Sequence, residues 1–188
     1  MIIPRLVIFV SICLLVALSS QSALAAKADF PSQFTDLEES YPLRGKAVLS
    51  KYFIKGAEIA FYSSDPGEDG VLGDSVTRCL EFVYFRDFSS AQLRDAAWSI
   101  INQGWSEKEL EDHESDINSL NALYQDVTKG DRYRLIYRPG IGTELKLNGK
   151  SLGTVPGAEM SRIYFSIWLG DMPLDDKIRD KLLADLLK

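Results

Sequence analysis

Apolar and polar residues alternate along much of this chain, and the period of the alternation changes at recognisable punctuation. Residues 49–62 (LSKYFIKGAEIAFY) are rich in aromatic and β-branched side chains, with apolar residues on both alternating sets. That pattern predicts one long strand, or two, covered on at least one face. Residues 63–74 (SSDPGEDGVLGD) form a dense turn signal, and residues 77–86 form the next strand. Ser89 then stands as an N-cap with Gln92 in the capping-box position, ahead of Leu93, Ala96, Ala97, Ile100 and Ile101 at helical spacing. Gly104 ends this helix. A second helix is expected over residues 117–127, where Ile117, Leu120, Leu123 and Tyr124 share a face.

The period then returns to that of strands. Residues 132–138 (RYRLIYR) alternate, and residues 139–142 (PGIG) turn the chain. Residues 143–147 and 151–155 flank Asn148-Gly149, a pair that favours the tight turn of a β-hairpin. Residues 158–169 are helical, with Gly170 expected as a left-handed cap. Pro173 breaks the chain, and a closing helix is expected from Asp175 or Asp176 through Leu187. Residues 30–41 are polar and acidic and read as an arm leading into the sheet. This order predicts an α+β fold, an antiparallel β-sheet covered on one face by helices.

The first 25 residues stand apart. Arg5 precedes an almost wholly apolar run over residues 6–18, and Ala23-Leu24-Ala25 fits the small-x-small rule of a signal peptidase site, with a second possible cut after Ala28. The run is shorter than a membrane span and ends in Ser19, Ser20, Gln21 and Ser22. Residues 1–25 are therefore expected to be a cleaved signal peptide. Residues 26–188 form one domain, periplasmic or secreted, with no integral membrane segment left after cleavage. Cleavage removes Arg5 and Cys13, so the mature chain is one charge more acidic than the full-length −6 and keeps Cys79 as its only thiol. No internal disulfide is then possible. Cys79 lies in an apolar strand and is expected to be a buried small hydrophobe.

Charge narrows the function. With 21 basic against 27 acidic residues and no basic stripe, the chain lacks the electrostatic footprint of a nucleic-acid binder. The densest charged stretch, residues 106–116 (SEKELEDHESD), reads as a solvated helix face or a connection between helices, with the single His113 exposed inside it. One histidine leaves little room for a metal cluster or a nucleophile–histidine pair. The sequence has no GxSxG, Walker, GxGxxG or HExxH motif. No cofactor or metal is expected.

Several segments, in order, carry a resemblance: YFIKGAEIAFY at 52–62, FRDFSSAQL at 85–93, KGDRY at 129–133, PGIGT at 139–143, NGK at 148–150, and FSIWLG at 165–170 followed by Pro173-Leu174. In this order they resemble the chalcone isomerase-like superfamily, especially its exported bacterial branch. The resemblance implies an open-faced β-sandwich, a large antiparallel sheet with helices on one face and a small, mostly apolar ligand held between them. Some members close a flavanone ring, others bind fatty acids, and others have no detectable chemistry. The resemblance also implies an Arg early on the long strand, a position that matches Leu49 here, with Arg44 five residues upstream and Lys51 two residues downstream. Lys51 supplies charge without the planar fork of an arginine.

The active Tyr and Asn of the plant enzymes fall on the helix of residues 90–104, where Trp98 and Asn102 are the nearest candidates. Tyr164 and Trp168, four apart on one helix, are placed to line a pocket or pack on the sheet. The expected ligand-binding residues are thus Lys51, Trp98, Asn102 and Tyr164. The departure at Leu49 favours a non-catalytic binder of a small apolar or amphipathic molecule such as a fatty acid. An isomerase or proton-transfer enzyme, or a protein-binding accessory factor, are the alternatives.

Overall fold

The computed structural model describes residues 28–51 and 54–188. The leader expected over residues 1–25 lies outside them. The strands are β1 (Gln33–Asp36), β2 (Glu39–Lys51), β3 (Ile54–Ser63), β4 (Arg78–Tyr84), β5 (Arg132–Arg138), β6 (Gly142–Leu147) and β7 (Lys150–Val155). They form one sheet in chain order, every neighbouring pair antiparallel. The helices are α1 (Ser90–Gly104), α2 (Glu107–Glu111), α3 (Glu114–Ala122), α4 (Ala158–Leu169) and α5 (Asp176–Leu182). The α+β architecture expected from the sequence is the one observed. No described helix is long and apolar enough to cross a membrane.

Alternation along the strands gives the sheet two chemically different faces. Ala57, Ile59 and Phe61 of β3, Leu80, Phe82 and Tyr84 of β4, and Tyr133, Leu135 and Tyr137 of β5 join one core with residues of α1, α3, α4 and α5. Phe61 is fully buried there, and burying a side chain of that size stabilises by about 1.5–3 kcal/mol. The opposite set belongs to a second cluster, in which Ala60, Tyr62, Cys79, Val83 and Ile136 meet Ala28, Phe30, Phe34 and Tyr41. Cys79 is buried as expected, and burial pushes its thiol pKa up.

That second face is where the arm expected over residues 30–41 proves to be structure. It contains β1, which pairs with the first residues of β2, Glu39 to Pro42. β2 changes register between Leu43 and Gly45 and continues along β3. The bend carries the hairpin across the outer face as far as β5. Phe34 lies under the Arg134 guanidinium, 5.4 Å from it. Arg138 binds Asp36 with two donors and Glu144 with one at 2.9 Å. Glu81, on β4, is sealed under the arm and paired with Arg132 at 2.8 Å and Arg134 at 3.0 Å.

The stretch of residues 49–62 resolves into two strands, the end of β2, which stops at Lys51, and nearly all of β3, which begins at Ile54. Asn148 and Gly149 both take positive φ, 51° and 83°, as a tight hairpin turn of this twist requires. Ser89 caps α1 through a complete capping box with Gln92. Three local expectations are corrected. The helix expected to reach Val127 ends at Ala122, because Val127 leaves it to exchange backbone hydrogen bonds with Phe88 at 2.9 and 3.0 Å. Gly170 is extended rather than left-handed, and its lack of a side chain admits close contact with Ser166 of its own helix. The closing helix ends at Leu182, after which the Asp185 amide donates to the Arg44 carbonyl. A fourth expectation differs too: His113, expected to be exposed, is half-buried as the N-cap of α3, without a side-chain capping bond.

Candidate functional site

Small residues on facing elements open a space between the inner face and the helices. Ala57 sits mid-sheet opposite Tyr84 of β4, where a larger side chain would fill the layer. Ala96 and Ala97 stand on the facing wall, on α1. Between them lies a cavity of about 250 Å³. Its floor is Leu49, Ala57, Phe82, Tyr84, Tyr133 and Leu145 from the strands. Its roof is Leu93 and Ile100 of α1 with Tyr164, Ile167 and Trp168 of α4. Phe88, Gln92, Tyr124 and Leu174 close the sides. Gln92, Ala96 and Leu174 also reach solvent and mark the mouth.

The lining is aromatic, and its polar atoms are mostly tyrosine hydroxyls. Tyr84 and Tyr133 meet edge-on at 6.0 Å between ring centres, Tyr124 and Tyr133 at 5.2 Å, and Tyr124 stacks on Tyr164 at 6.4 Å. Phe82 and Trp168 form the other end at 5.2 Å. The Tyr133 hydroxyl donates to the Gln125 carbonyl at 3.0 Å and accepts from the Gln125 amide at 2.8 Å. This bond holds the segment after α3 over the cavity. The Tyr164 hydroxyl donates to Oδ1 of Asn121 at 2.9 Å, leaving the buried Nδ2 of Asn121 without a partner among the described residues.

Burial raises the pKa of all four tyrosines: Tyr124 to about 12, Tyr84 and Tyr164 well above their ordinary value, and Tyr133 upward. At neutral pH each remains a protonated phenol. Such a cavity positions and encloses a molecule through shape and a few neutral hydrogen bonds.

Two further depressions are larger but wide open to solvent. One, of about 830 Å³, runs past Asp69, Asp74, Trp105, Glu159 and Arg162. The other, of about 740 Å³, is bounded by Trp98, Asn102, Trp105 and the glutamates at 107, 111 and 114. Neither encloses an apolar molecule, and no group of His, Cys, Asp or Glu among the described residues is arranged to hold a metal ion.

Of the four residues expected from the sequence, the three whose side chains are described are not brought together. Tyr164 lines the apolar cavity. Trp98 and Asn102 lie on a different stripe of α1 and border the open groove toward α2. Trp98 is half-buried and packs against the core, while Asn102 is exposed. Lys51 is the last residue of β2, its backbone paired with Ile54, and its side chain is outside the described part. Ala57, Tyr84, Ala97, Tyr124 and Tyr133 were not anticipated. Ala57 was the readable clue, the smallest side chain on a face of β3 that also buries Ile59 and Phe61.

A model of the chalcone isomerase-like family matches residues 23–184. Among solved structures, the fold is similar to that of the fatty-acid binding protein of Arabidopsis thaliana, with a TM-score of 0.64 at 15% identity over 82% of this chain and 90% of that one. At that identity the likeness speaks for the fold. A search of curated protein sequences finds no significant match.

Proposed function

The chain belongs to the chalcone isomerase-like family, and from that premise we propose that it is an exported, non-catalytic binder of one small apolar or amphipathic molecule, with fatty acids as the first class to test. The observation that carries this reading is the partly enclosed apolar cavity between the inner face of the sheet and α1 and α4. The similar Arabidopsis protein is by its name a fatty-acid binder, which supports the same use of the same layer. The volume of about 250 Å³ falls just under the roughly 300–1,000 Å³ usual for ligand pockets, so the ligand is small. Protonated phenols supply hydrogen bonds rather than a base, which favours binding over proton transfer. Export rests on the leader and its small-x-small site.

Of the residues expected from the sequence, Tyr164 is the one this proposal uses. Native mass spectrometry of the purified protein, followed by thermal-shift titration with medium-chain fatty acids and their neutral analogues, tests it. A bound small molecule, or a raised Tm with at least one of these compounds, is expected. A protein that carries nothing and responds to none of them is not a binder of this class.

A further inference from the structure

We infer that the cavity takes its ligand uncharged: a short neutral chain or ring with at most a hydroxyl, carbonyl or ester group, and not the anion of an acid. This rests on the binding reading above and moves its ligand from fatty acids, which are anions at neutral pH, to their neutral analogues.

The lining carries it. No Lys, Arg or His among the described residues borders the cavity. The described β2 residue that reaches it is Leu49, an aliphatic side chain that offers a carboxylate no hydrogen bond and no charge. Gln92 commits its Oε1 to the Ser89 amide at 2.9 Å in the cap of α1, and its Nε2 is a neutral donor. Of the tyrosine hydroxyls, that of Tyr133 is spent on Gln125 and that of Tyr164 donates to Asn121, so Tyr84 and Tyr124 are left as neutral donors and acceptors.

The buried arginines of the sheet have other work. Arg138 serves Asp36 and Glu144 on the outer face, and the half-buried Arg132 and Arg134 serve Glu81 there. Arg78 points its guanidinium between the rings of Tyr137 and Phe165, donating to the Gly73 carbonyl at 2.8 Å and Ser161 Oγ at 2.9 Å.

A carboxylate drawn into this space loses its hydration and meets no opposite charge among the described residues, and neutral hydrogen bonds do not replace what it gives up. An alcohol or ester gives up far less, and one phenol satisfies it.

Trp168 in the wall makes intrinsic fluorescence a direct reporter of occupancy. The wild-type protein is titrated at neutral pH with octan-1-ol, methyl octanoate and sodium octanoate. The alcohol and the ester are expected to bind at least about tenfold more tightly than octanoate. Leu49→Arg, checked for its fold by circular dichroism, is expected to reverse the order in favour of octanoate. Octanoate binding the wild-type protein as tightly as octan-1-ol, or more tightly, overturns the inference and leaves the binding reading standing. If none of the three binds, the binding reading falls and the inference falls with it.

Discussion

At Ala97 a single methyl group separates a filled core from an enclosed space. Ala97 is buried, borders the cavity, and shares α1 with the fully packed Ile101. Ala97→Leu puts three carbons into existing space, so the penalty usual for overpacking a tight core does not apply. The expected outcome is an unchanged or slightly higher Tm for the free protein and loss of any ligand-induced rise in Tm, both read by differential scanning fluorimetry. A loss of stability would mean that the space is not open at Ala97.

The same residue shows why the site was only partly legible. Tyr164 was recognised because Tyr164 and Trp168 mark one helix face. Tyr133 and Tyr84 alternate as any inner-face strand residues do, and nothing in their identity separates a cavity wall from a packed core. The distinguishing property is missing volume, which belongs to Ala57, Ala96 and Ala97 taken together across elements distant in sequence. Trp98 and Asn102 fail to join the site for a simpler reason. A helix turns about 100° per residue, and the stripe that carries them faces α2.

Among the elements, those with explicit local chemistry were legible. The capping box of α1, the Asn148-Gly149 hairpin and the strands of β4 and β5 all follow from their residues. The hairpin of β1 and β2 was not, because Leu37 and Glu38 occupy its turn with φ of 46° and 69°. Neither residue favours that region, so the usual signal of Gly or Asn is missing. The turn is held instead from outside, by Phe34 and Asp36 on the outer face.

Gly45 shows a second kind of dependence. A Cβ built there would lie 2.0 Å from the Lys181 carbonyl oxygen and 2.5 Å from that of Leu182. β2 and the end of α5 thus touch backbone to backbone, and α5 keeps this seat only while position 45 has no side chain. Gly45→Ala is expected to destabilise the fold by about 1–3 kcal/mol. Hydrogen exchange should show the loss of protection concentrated in Asp176–Leu182, with α1 little affected.

For the molecule as a whole, the outer face links stability to acidity. Asp36 titrates below its ordinary 3.8 because Arg138 hydrogen-bonds it, more than burial opposes this. Burial pushes Glu144 up, but hydrogen bonds from Ser151 and Arg138 outweigh it and leave Glu144 lowered too. A carboxylate whose pKa falls on folding adds stability above its unfolded value and loses it as the pH drops through the folded value. Stability is therefore expected to hold from neutrality down to about pH 4 and to decline below it. Asp36→Asn should lower stability by about 1–3 kcal/mol at neutral pH and flatten the acid decline. Urea midpoints at about pH 7 and about pH 3 for both proteins check this.

The arm also fixes which way the molecule faces when held by its front end. The Ala28 amide donates to Glu58 Oε2 at 3.1 Å on the outer face, while the mouth at Gln92, Ala96 and Leu174 opens on the helical side. A bead, chip or fusion partner attached ahead of Ala28 therefore grips the back of the sheet and leaves the opposite entrance clear. Immobilisation through the front end is therefore expected to leave ligand affinity unchanged, which comparing the captured with the free domain checks.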